Sequence, residues 1–469
     1  MKEKNISENK VKIYFHGASG EVTGSNYLLE LEAGDGKKTK VLIDCGLYQG
    51  GKVCEDKNRE PFPYDPASLD AVIVTHAHLD HIGRVPKLKK DGFKGKIYST
   101  YPTKDFANLM LTDSLGVLTK EAAREGLELI YEEKDVQAAM AAWEAKEYED
   151  GFTIGGLSFL LRDAGHILGS AIVEVKLAEN ADSKKIVFSG DLGNSPEPLL
   201  RETSRVKDAN YLIIESTYGD RLHEDRAESD LKLERMIEDI VVKNGVLMIP
   251  AFSLERTQKI LFQINNLIEN GRIPKIPVFL DSPLSIKATM VYKGYSKYYN
   301  NDVKEIMLED DDLFSFTGLV QTLETEESKS IANKPSPKII IAGSGMLNGG
   351  RILHHAKKYL PDKNNVLLLV SYQAAGSLGR QLQEGAKAVS IMGETVPVLA
   401  KVAEMGGYSS HADANGLFSF VDHSADTLLK IFVAHGELKA GSFFAQRLKD
   451  YAGLDATVVK SGDCFEVEL

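Results

Sequence analysis

The chain has 469 residues, of which 43% are hydrophobic and 26% are charged. This length is too great for one ordinary hydrophobic core and predicts two or three folding units, and the composition is that of a globular protein. The formal net charge of −12 excludes a generally basic surface, so a nucleic-acid partner would need a local basic groove.

Short strand-like runs dominate the first two hundred residues: NYLLELEA, KVLIDCG, AVIVTH, SAIVEVKL and KIVFSGD. Between them, residues 104–146 contain little Gly or Pro and many Ala, Leu and Glu, which predicts helix. From about residue 211, apolar runs such as VLMIPAF, KIIIAGS and NVLLLVS alternate with helical patterns such as ESDLKLERMIEDIVVKN. That alternation is typical of a parallel, doubly wound sheet. The C-terminal residues return to mixed short strands, so we predict a first domain that an α/β insertion interrupts.

Export and membrane insertion are not expected. The start, MKEKNISENKVKIYF, has no apolar core of signal-peptide type, and the longest apolar runs are far shorter than a membrane span. Three cysteines cannot all pair and show no CxxC spacing, so we interpret Cys45, Cys54 and Cys464 as reduced thiols. We therefore expect a cytoplasmic protein whose metal ions would be held by groups other than thiolates.

The strongest chemical signal is the segment HAHLDH, directly after the strand-like run AVIVT. Three imidazoles and one carboxylate within six residues suit divalent metal ions, and a strand end fixes the backbone that carries them. His76 and His78 share one face of an extended segment, whereas the following turn must swing Asp80 and His81 toward a second point. The spacing therefore favours two metal ions over one.

Two ions need further donors from distant parts of the chain. His166 lies in GHILGS before one strand, and Asp191 lies in SGDLG after another. Flanking glycines permit close approach of the backbone to an ion. His411 and His435 supply imidazoles near the C-terminus, and Asp44 could orient a ligating histidine from the outside.

With these motifs the chain resembles the metallo-β-lactamase superfamily. More narrowly it resembles the β-CASP branch, which includes the endonuclease subunit of pre-mRNA 3′-end cleavage. The resemblance implies an α/β fold: a metallo-β-lactamase αββα sandwich with an inserted doubly wound β-CASP domain. We place the first part of the sandwich at 1–218, the insertion at 219–385 and the C-terminal part at 386–469.

The resemblance also implies a zinc-dependent ribonuclease that hydrolyses RNA phosphodiester bonds with a hydroxide activated by two Zn²⁺ ions. Asp80 or Asp191 would hold the proton of the nucleophile, and Glu215 and His411 match further motifs of the branch. The implied ligands are His76, His78 and His166 for one ion, Asp80, His81 and His411 for the other, with Asp191 bridging and Asp44 outside.

Substrate contacts are expected in the inserted domain. The segment GSGMLNGGR matches a glycine-rich turn that contacts phosphate in the family, through backbone amides next to a helix start. Arg256 could meet a phosphate or be a solvated helix residue. His354 and His355 are expected on a helix surface, and the acidic run 309–312 in a solvated loop. The candidate phosphate or substrate contacts are Ser344, Gly345, Met346, Arg351, Arg380 and His435.

One position departs from the pattern of the branch. In relatives a histidine that pairs with the acidic Glu215 position ends a Gly-Ser-Leu stretch, whereas Gln381 stands there here. This departure leaves two alternatives open beside the ribonuclease: a metallohydrolase of a small ester, thioester or phosphodiester, and a non-catalytic RNA-binding subunit. Single-stranded RNA is the expected partner, with a homodimer possible and no membrane association.

Overall fold

The computed structural model describes residues 10–32, 36–50, 52–308, 312–374 and 376–469. Residues 1–9 of the N-terminal segment and 309–311 of the acidic run lie outside this part of the chain. The first strands of the chain form one mixed sheet, antiparallel from β1 to β3 and parallel from β3 to β6. Its elements are β1 (Lys10–Gly17), β2 (Asn26–Glu32), β3 (Lys38–Ile43), α1 (Lys52–Lys57), β4 (Ala71–Ile73), α2 (Leu79–Ile82), α3 (Val85–Lys90), β5 (Lys96–Thr100), α4 (Tyr101–Glu125), α5 (Glu133–Ala141) and β6 (Trp143–Lys146).

A second mixed sheet follows directly. Its strands are β7 (Phe152–Ile154), β8 (Leu157–Asp163), β9 (Ala171–Leu177), β10 (Ile186–Phe188) and β11 (Tyr211–Ile214). Neighbours are antiparallel from β7 to β10, whereas β10 and β11 are parallel. Because β9 runs against β10, the turn before β9 and the turn after β10 lie at the same edge of the sheet.

The inserted segment forms a sheet in which every described pair of neighbours is parallel, in the order β14-β13-β15-β12-β16-β19. This confirms the doubly wound α/β prediction. Its elements are α6 (Arg226–Lys243), β12 (Val246–Pro250), α7 (Arg256–Glu269), β13 (Val278–Leu280), α8 (Pro283–Gly294), α9 (Asn301–Ile306), β14 (Leu319–Gln321), α10 (Thr325–Ser330), β15 (Lys338–Ala342), α11 (Ile352–Tyr359), β16 (Val366–Leu369), α12 (Leu378–Gln383), a hairpin of β17 (Ala388–Ile391) and β18 (Glu394–Pro397), and β19 (Lys401–Glu404).

The C-terminal residues complete both sheets of the first unit. They form α13 (Ala414–Asp422), β20 (Lys430–Val433), α14 (Leu438–Ala452), β21 (Ala456–Val458) and β22 (Cys464–Glu468). Strand β22 pairs with β1, and β20 and β21 extend the second sheet beside β11. The first domain is therefore discontinuous, as the return to short strands predicted.

Two apolar cores explain the layered order of this unit. One lies between the sheets, where Phe15 and Ile43 of the first sheet and Phe159 and Phe432 of the second belong to one buried cluster. On the outer face of the second sheet, side chains such as Leu212 join those of α13 and α14. Helix α4 contacts β5 and β6 of the first sheet. This is the αββα sandwich that the resemblance implied.

The chain divides into two compact units, 1–222 with 411–469, and 223–410. The sequence placed the second domain boundary at 385, and strand β19 accounts for the difference because it pairs with β16 of the inserted sheet. The helix predicted over 104–146 is also shorter than expected. Helix α4 ends at Glu125, before Gly126, whose φ is 68°, and Trp143–Lys146 is the strand β6. Among the described residues, every helix is too short or too polar to cross a membrane.

We expect Val246→Ala to lower the free energy of unfolding by about 2 kcal/mol, because it removes buried methyl groups from the core of the inserted sheet. Urea titration of the whole chain measures the change. Val242→Ala is the matched control, since Val242 is 85% exposed on α6. Equal effects of the two substitutions would contradict the packing described for this core.

Candidate metal centre

The first group of candidate ligands comes from the loop after β4 and the turn before β9. His78 Nδ1 lies 3.1 Å from His76 Nε2 and 3.2 Å from His166 Nε2. Asp191, after β10, places its Oδ2 3.4 Å from His76 Nε2. The four side chains offer donor atoms that all lie within 4.8 Å of one another, which is close enough to share one ion.

A second group lies beside the first. Asp80, His81 and His435 also offer donor atoms within 4.8 Å of one another. His435 follows β20, and its Nε2 lies 3.9 Å from Asp80 Oδ2. This differs from the set that the resemblance implied, in which His411 completed the group of Asp80 and His81 and His435 contacted substrate.

Asp191 stands between the two groups. Its Oδ2 faces the first group, whereas its Oδ1 lies 3.4 Å from His81 Nε2 and 3.5 Å from His435 Nε2. Asp191 is almost fully buried, and Oδ1 finds no hydrogen-bond donor among the described residues. A buried carboxylate oxygen in this state is suited to a cation.

His411 lies against Glu215 and not in the second group, and the donor atoms of Asp191, Glu215 and His411 form a third set within 4.8 Å of one another. Its Nδ1 is 3.2 Å from both carboxylate oxygens of Glu215, and Glu215 Oε1 also accepts a hydrogen bond from the Leu192 backbone N–H at 2.7 Å. The sequence expected a pairing residue for Glu215 at position 381 and found Gln381 there. In the structure an imidazole does face this carboxylate, and it is that of His411.

Comparison with known families gives three matches along the chain. Residues 19–242 match the metallo-beta-lactamase superfamily, and residues 257–382 match the Beta-Casp domain. Residues 395–459 match the Zn-dependent metallo-hydrolase RNA specificity domain.

Curated relatives match nearly the whole chain. Ribonuclease TTHA0252 of Thermus thermophilus is 36% identical over 427 residues, which cover 91% of this chain and 93% of the relative. The RNase J-like protein of Methanocaldococcus jannaschii is 34% identical over 443 residues, with coverage of 93% and 95%. Transcription termination factor FttA of Methanosarcina mazei is 31% identical over 457 residues, covering 94% of this chain and 69% of the relative. The chain belongs to the metallo-β-lactamase superfamily and to its β-CASP branch.

The resemblance drawn from HAHLDH and the later motifs is thus confirmed, and this β-CASP protein is a metallohydrolase. A crystal structure of a protein of unknown function from Enterococcus faecalis V583 has a TM-score of 0.53 and 14% identity, covering 98% of this chain and 100% of that one. At that identity the similarity shows the fold alone.

Three residues outside the two groups form hydrogen bonds that orient the imidazoles of the candidate ligands. Asp44 Oδ2 accepts from His81 Nδ1 at 2.7 Å, and both its oxygens bind Thr75, through the backbone N–H and the hydroxyl. The Thr75 hydroxyl is also 3.0 Å from His76 Nδ1, and Ser25 Oγ is 3.0 Å from His435 Nδ1. Sequence reasoning found Asp44 but missed Ser25 and Thr75. No metal-ligand spacing marks a lone hydroxyl, although Thr75 directly precedes HAHLDH.

Burial and nearby carboxylates shift the pKa values of the imidazoles in opposite directions. Burial lowers the pKa of His76 and of His78 to about 3, and it holds the pKa of His166 well below its ordinary value. Burial also opposes the charge of His81, but Asp191 and Asp44 outweigh it and keep that pKa high. For His411, burial is likewise outweighed by Glu215, which raises the pKa to about 8. Neutral imidazoles in the first group are the form that binds metal ions.

Two glycines allow the ligand loops to approach one another. A Cβ atom on Gly193, two residues after Asp191, would lie 2.1 Å from the Gly165 carbonyl oxygen, next to His166. A Cβ on Gly46 would lie 1.5 Å from the Asp80 carbonyl oxygen. Any side chain at either position would push a ligand loop away.

The inserted unit uses several of the expected substrate residues internally. Ser344 bonds across its own turn to Gly349, and the carbonyls of Gly345 and Met346 accept from Gln373 and Gly379. Arg380 Nε donates to Glu384 at 2.6 Å on the half-exposed face of α12. Arg351 donates to the buried Asp281.

Two other expectations for this unit differ from the structure. Arg256 is buried, so it is not a solvated helix residue, and His355 is buried rather than on the helix surface. The helical pattern of each segment does not show this burial, because it depends on what the folded unit packs against Arg256 and His355.

We expect Gly193→Ala to weaken metal binding about 10- to 100-fold, because the added methyl group separates the loops of His166 and Asp191. Competition with a chelator measures the affinity. Gly116→Ala is the control, since a Cβ there meets open space within α4. Unchanged metal affinity in Gly193→Ala would contradict the close approach described here.

Proposed function

We propose that this protein is a zinc-dependent ribonuclease that hydrolyses RNA phosphodiester bonds with two metal ions. The observation that carries the proposal is Asp191, whose two oxygens each face a different group of candidate ligands. A carboxylate in that position can be shared between two ions, as paired-metal hydrolases require.

The ligand set follows from the geometry of the two groups. We assign His76, His78 and His166 to one ion, Asp80, His81 and His435 to the other, and Asp191 to both. Imidazole nitrogens and carboxylate oxygens together suit Zn²⁺, and the orphan oxygen of Asp191 fits a cation. When bound, two ions would offset the negative charge of the phosphoryl oxygens and make nearby water more acidic.

His411 and Glu215 supply the proton-transfer chemistry in this proposal. Glu215 faces Nδ1 of His411, so it holds the proton on that nitrogen and supports a positively charged ring. The other nitrogen, Nε2, would then give its proton to the oxygen of the leaving nucleotide. Gln381 needs no acid–base role, because the imidazole beside Glu215 comes from position 411.

Support for RNA as substrate comes from two directions. Relatives carry the names ribonuclease and RNase J-like protein, and residues 395–459 match a domain described by RNA specificity. Residues 223–410 contain nearly equal numbers of acidic and basic side chains, so almost all of the net −12 belongs to the other unit. The inserted unit therefore repels a polyanion least, and we propose that backbone amides of its turn 343–350 other than those of Ser344, Leu347 and Gly349, which donate within the turn, bind phosphates.

The alternatives explain fewer of these features. A small-molecule hydrolase would leave the inserted unit without a role, and a binding subunit would not need two complete ligand groups around one carboxylate. We further propose a cytoplasmic location, supported by the three free cysteines. Preference for single strands and a homodimer remain predictions of the sequence.

The decisive experiment incubates the purified chain with end-labelled single-stranded RNA, with and without a chelator, and quantifies bound metal. We expect cleavage that the chelator abolishes and about two zinc ions per chain. His78→Ala should lose metal and cleavage together, because His78 bridges the nitrogens of His76 and His166. Cleavage that survives full metal removal would refute the proposal.

The roles of His411 and His435 can be distinguished by the metal content of their alanine variants. We expect His435→Ala to bind about one ion fewer than the unmodified chain, and His411→Ala to keep its full content while losing turnover. Elemental analysis and cleavage assays on the same samples give both values. If instead His411→Ala loses metal and His435→Ala keeps its full metal content, the ligand set implied by the sequence, with His411, is correct.

A further inference from the structure

A buried carboxylate in the inserted unit joins the ends of two strands to two helices. Asp281, directly after β13, is 0% exposed. Its Oδ2 accepts from His355 Nε2 of α11 and from Ser328 Oγ of α10, both at 2.7 Å. Its Oδ1 accepts from Thr322 Oγ1 after β14 at 2.6 Å and from Arg351 Nη1 at 2.8 Å. Burial alone raises the pKa of Asp281, but these bonds, led by that of His355, lower it to about 2.

Arg351 is directed into this network. Besides Asp281, its guanidinium donates to the carbonyls of Thr322 at 2.9 Å and Leu323 at 2.7 Å. A planar guanidinium makes such a set of bonds in one fixed orientation. Turning it toward a phosphate would leave the buried charge of Asp281 without its cation, which is costly.

Arg351 also ends the glycine-rich turn 343–350. The turn closes on itself through the bonds between Ser344 and Gly349, and the Ile352 N–H donates to the Gly343 carbonyl at 3.2 Å. Gly350 has a φ of 76°, and a Cβ there would lie 2.2 Å from the Gly343 carbonyl oxygen. The shape of the turn is therefore fixed locally. Its place is set by β15 before it, by Gln373 and Gly379, which donate to the carbonyls of Gly345 and Met346, and by Arg351 and α11 after it.

We propose that Asp281, His355 and Arg351 form a positioning network that holds turn 343–350 in place for a phosphate of the substrate. In this arrangement Arg351 is a positioning residue and not a phosphate ligand, and backbone amides of the turn make the contact. The inference rests on the proposed function in taking RNA as the substrate.

Steady-state cleavage of single-stranded RNA by the full chain tests the network. We expect Asp281→Asn and Arg351→Met each to raise KM about 10- to 100-fold with kcat within about twofold, because the turn binds but does not react. The double variant should lose less than the product of the two single losses, because the two substitutions share the contact between Asp281 and Arg351. Lys329→Ala, which removes an exposed cation of α10, should change neither constant.

Salt dependence separates positioning from direct contact. RNA affinity is measured in a His411→Ala background, so that the substrate survives the titration. We expect Arg351→Met to weaken binding without changing the slope of log affinity against log salt, since neutral amides release no counterions. A slope reduced by about one in Arg351→Met, with intact affinity in Asp281→Asn, would overturn the proposal and make Arg351 a phosphate ligand.

Hydrogen exchange of the full chain without RNA tests the network independently of the proposed function. We expect faster exchange of the amides of 343–350 in Asp281→Asn and in His355→Leu, and near-normal exchange in His355→Gln, which keeps a donor for Asp281. If the amides of 343–350 exchange at unchanged rates in Asp281→Asn and His355→Leu, the positioning role is wrong. If the unmodified chain cleaves no RNA while these exchange changes occur, the proposed function fails and the network stands.

Discussion

The candidate centre depends on one buried carboxylate that faces two groups of imidazoles at once. Asp191 is surrounded by His76, His166, His81 and His435 at 3.4 to 3.7 Å from its oxygens. Burying an ionised carboxylate is unfavourable unless cations or donors surround it, and one of its oxygens finds no donor among the described residues. This site is therefore poorly suited to a purely structural role and well suited to divalent cations.

The sandwich makes this convergence possible because of its strand directions. His76 and Asp44 follow the parallel strands β4 and β3, while Asp191, Glu215 and His435 follow the parallel strands β10, β11 and β20. The carboxyl ends of parallel strands share one edge of a sheet, and the turn of His166 before the antiparallel β9 reaches the same edge. Glycines then let the connecting turns touch, as Gly193 does against Gly165. The ligands thus lie on turns whose ends the sheets fix.

In the inserted unit, a positive charge next to the glycine-rich turn is paired with a buried carboxylate. Arg351 directly follows the glycine-rich turn, and the buried Asp281 matches its charge, so this positive charge holds backbone in place. A turn that binds through amides reads the phosphate backbone and carries no base-specific information. Such a surface suits an enzyme whose substrates share a backbone and differ in sequence.

The sequence by itself determined the family and the layered α/β class, and it predicted most of the candidate metal ligands that the fold brings together. The hydrophobic periodicity and the spacing of HAHLDH are local properties of the chain, so they can be recognised from the sequence alone. It could not decide which of the two C-terminal histidines joins which group, because neither YSSHAD around His411 nor VAHGE around His435 shows where the folded chain carries its imidazole. Only the pairing of β20 beside β11 and the bridge between Gly193 and His411 place them. The same holds for Arg351 and His355, whose helical positions gave no sign of Asp281, a residue 70 and 74 positions away that only the folded sheet brings into contact.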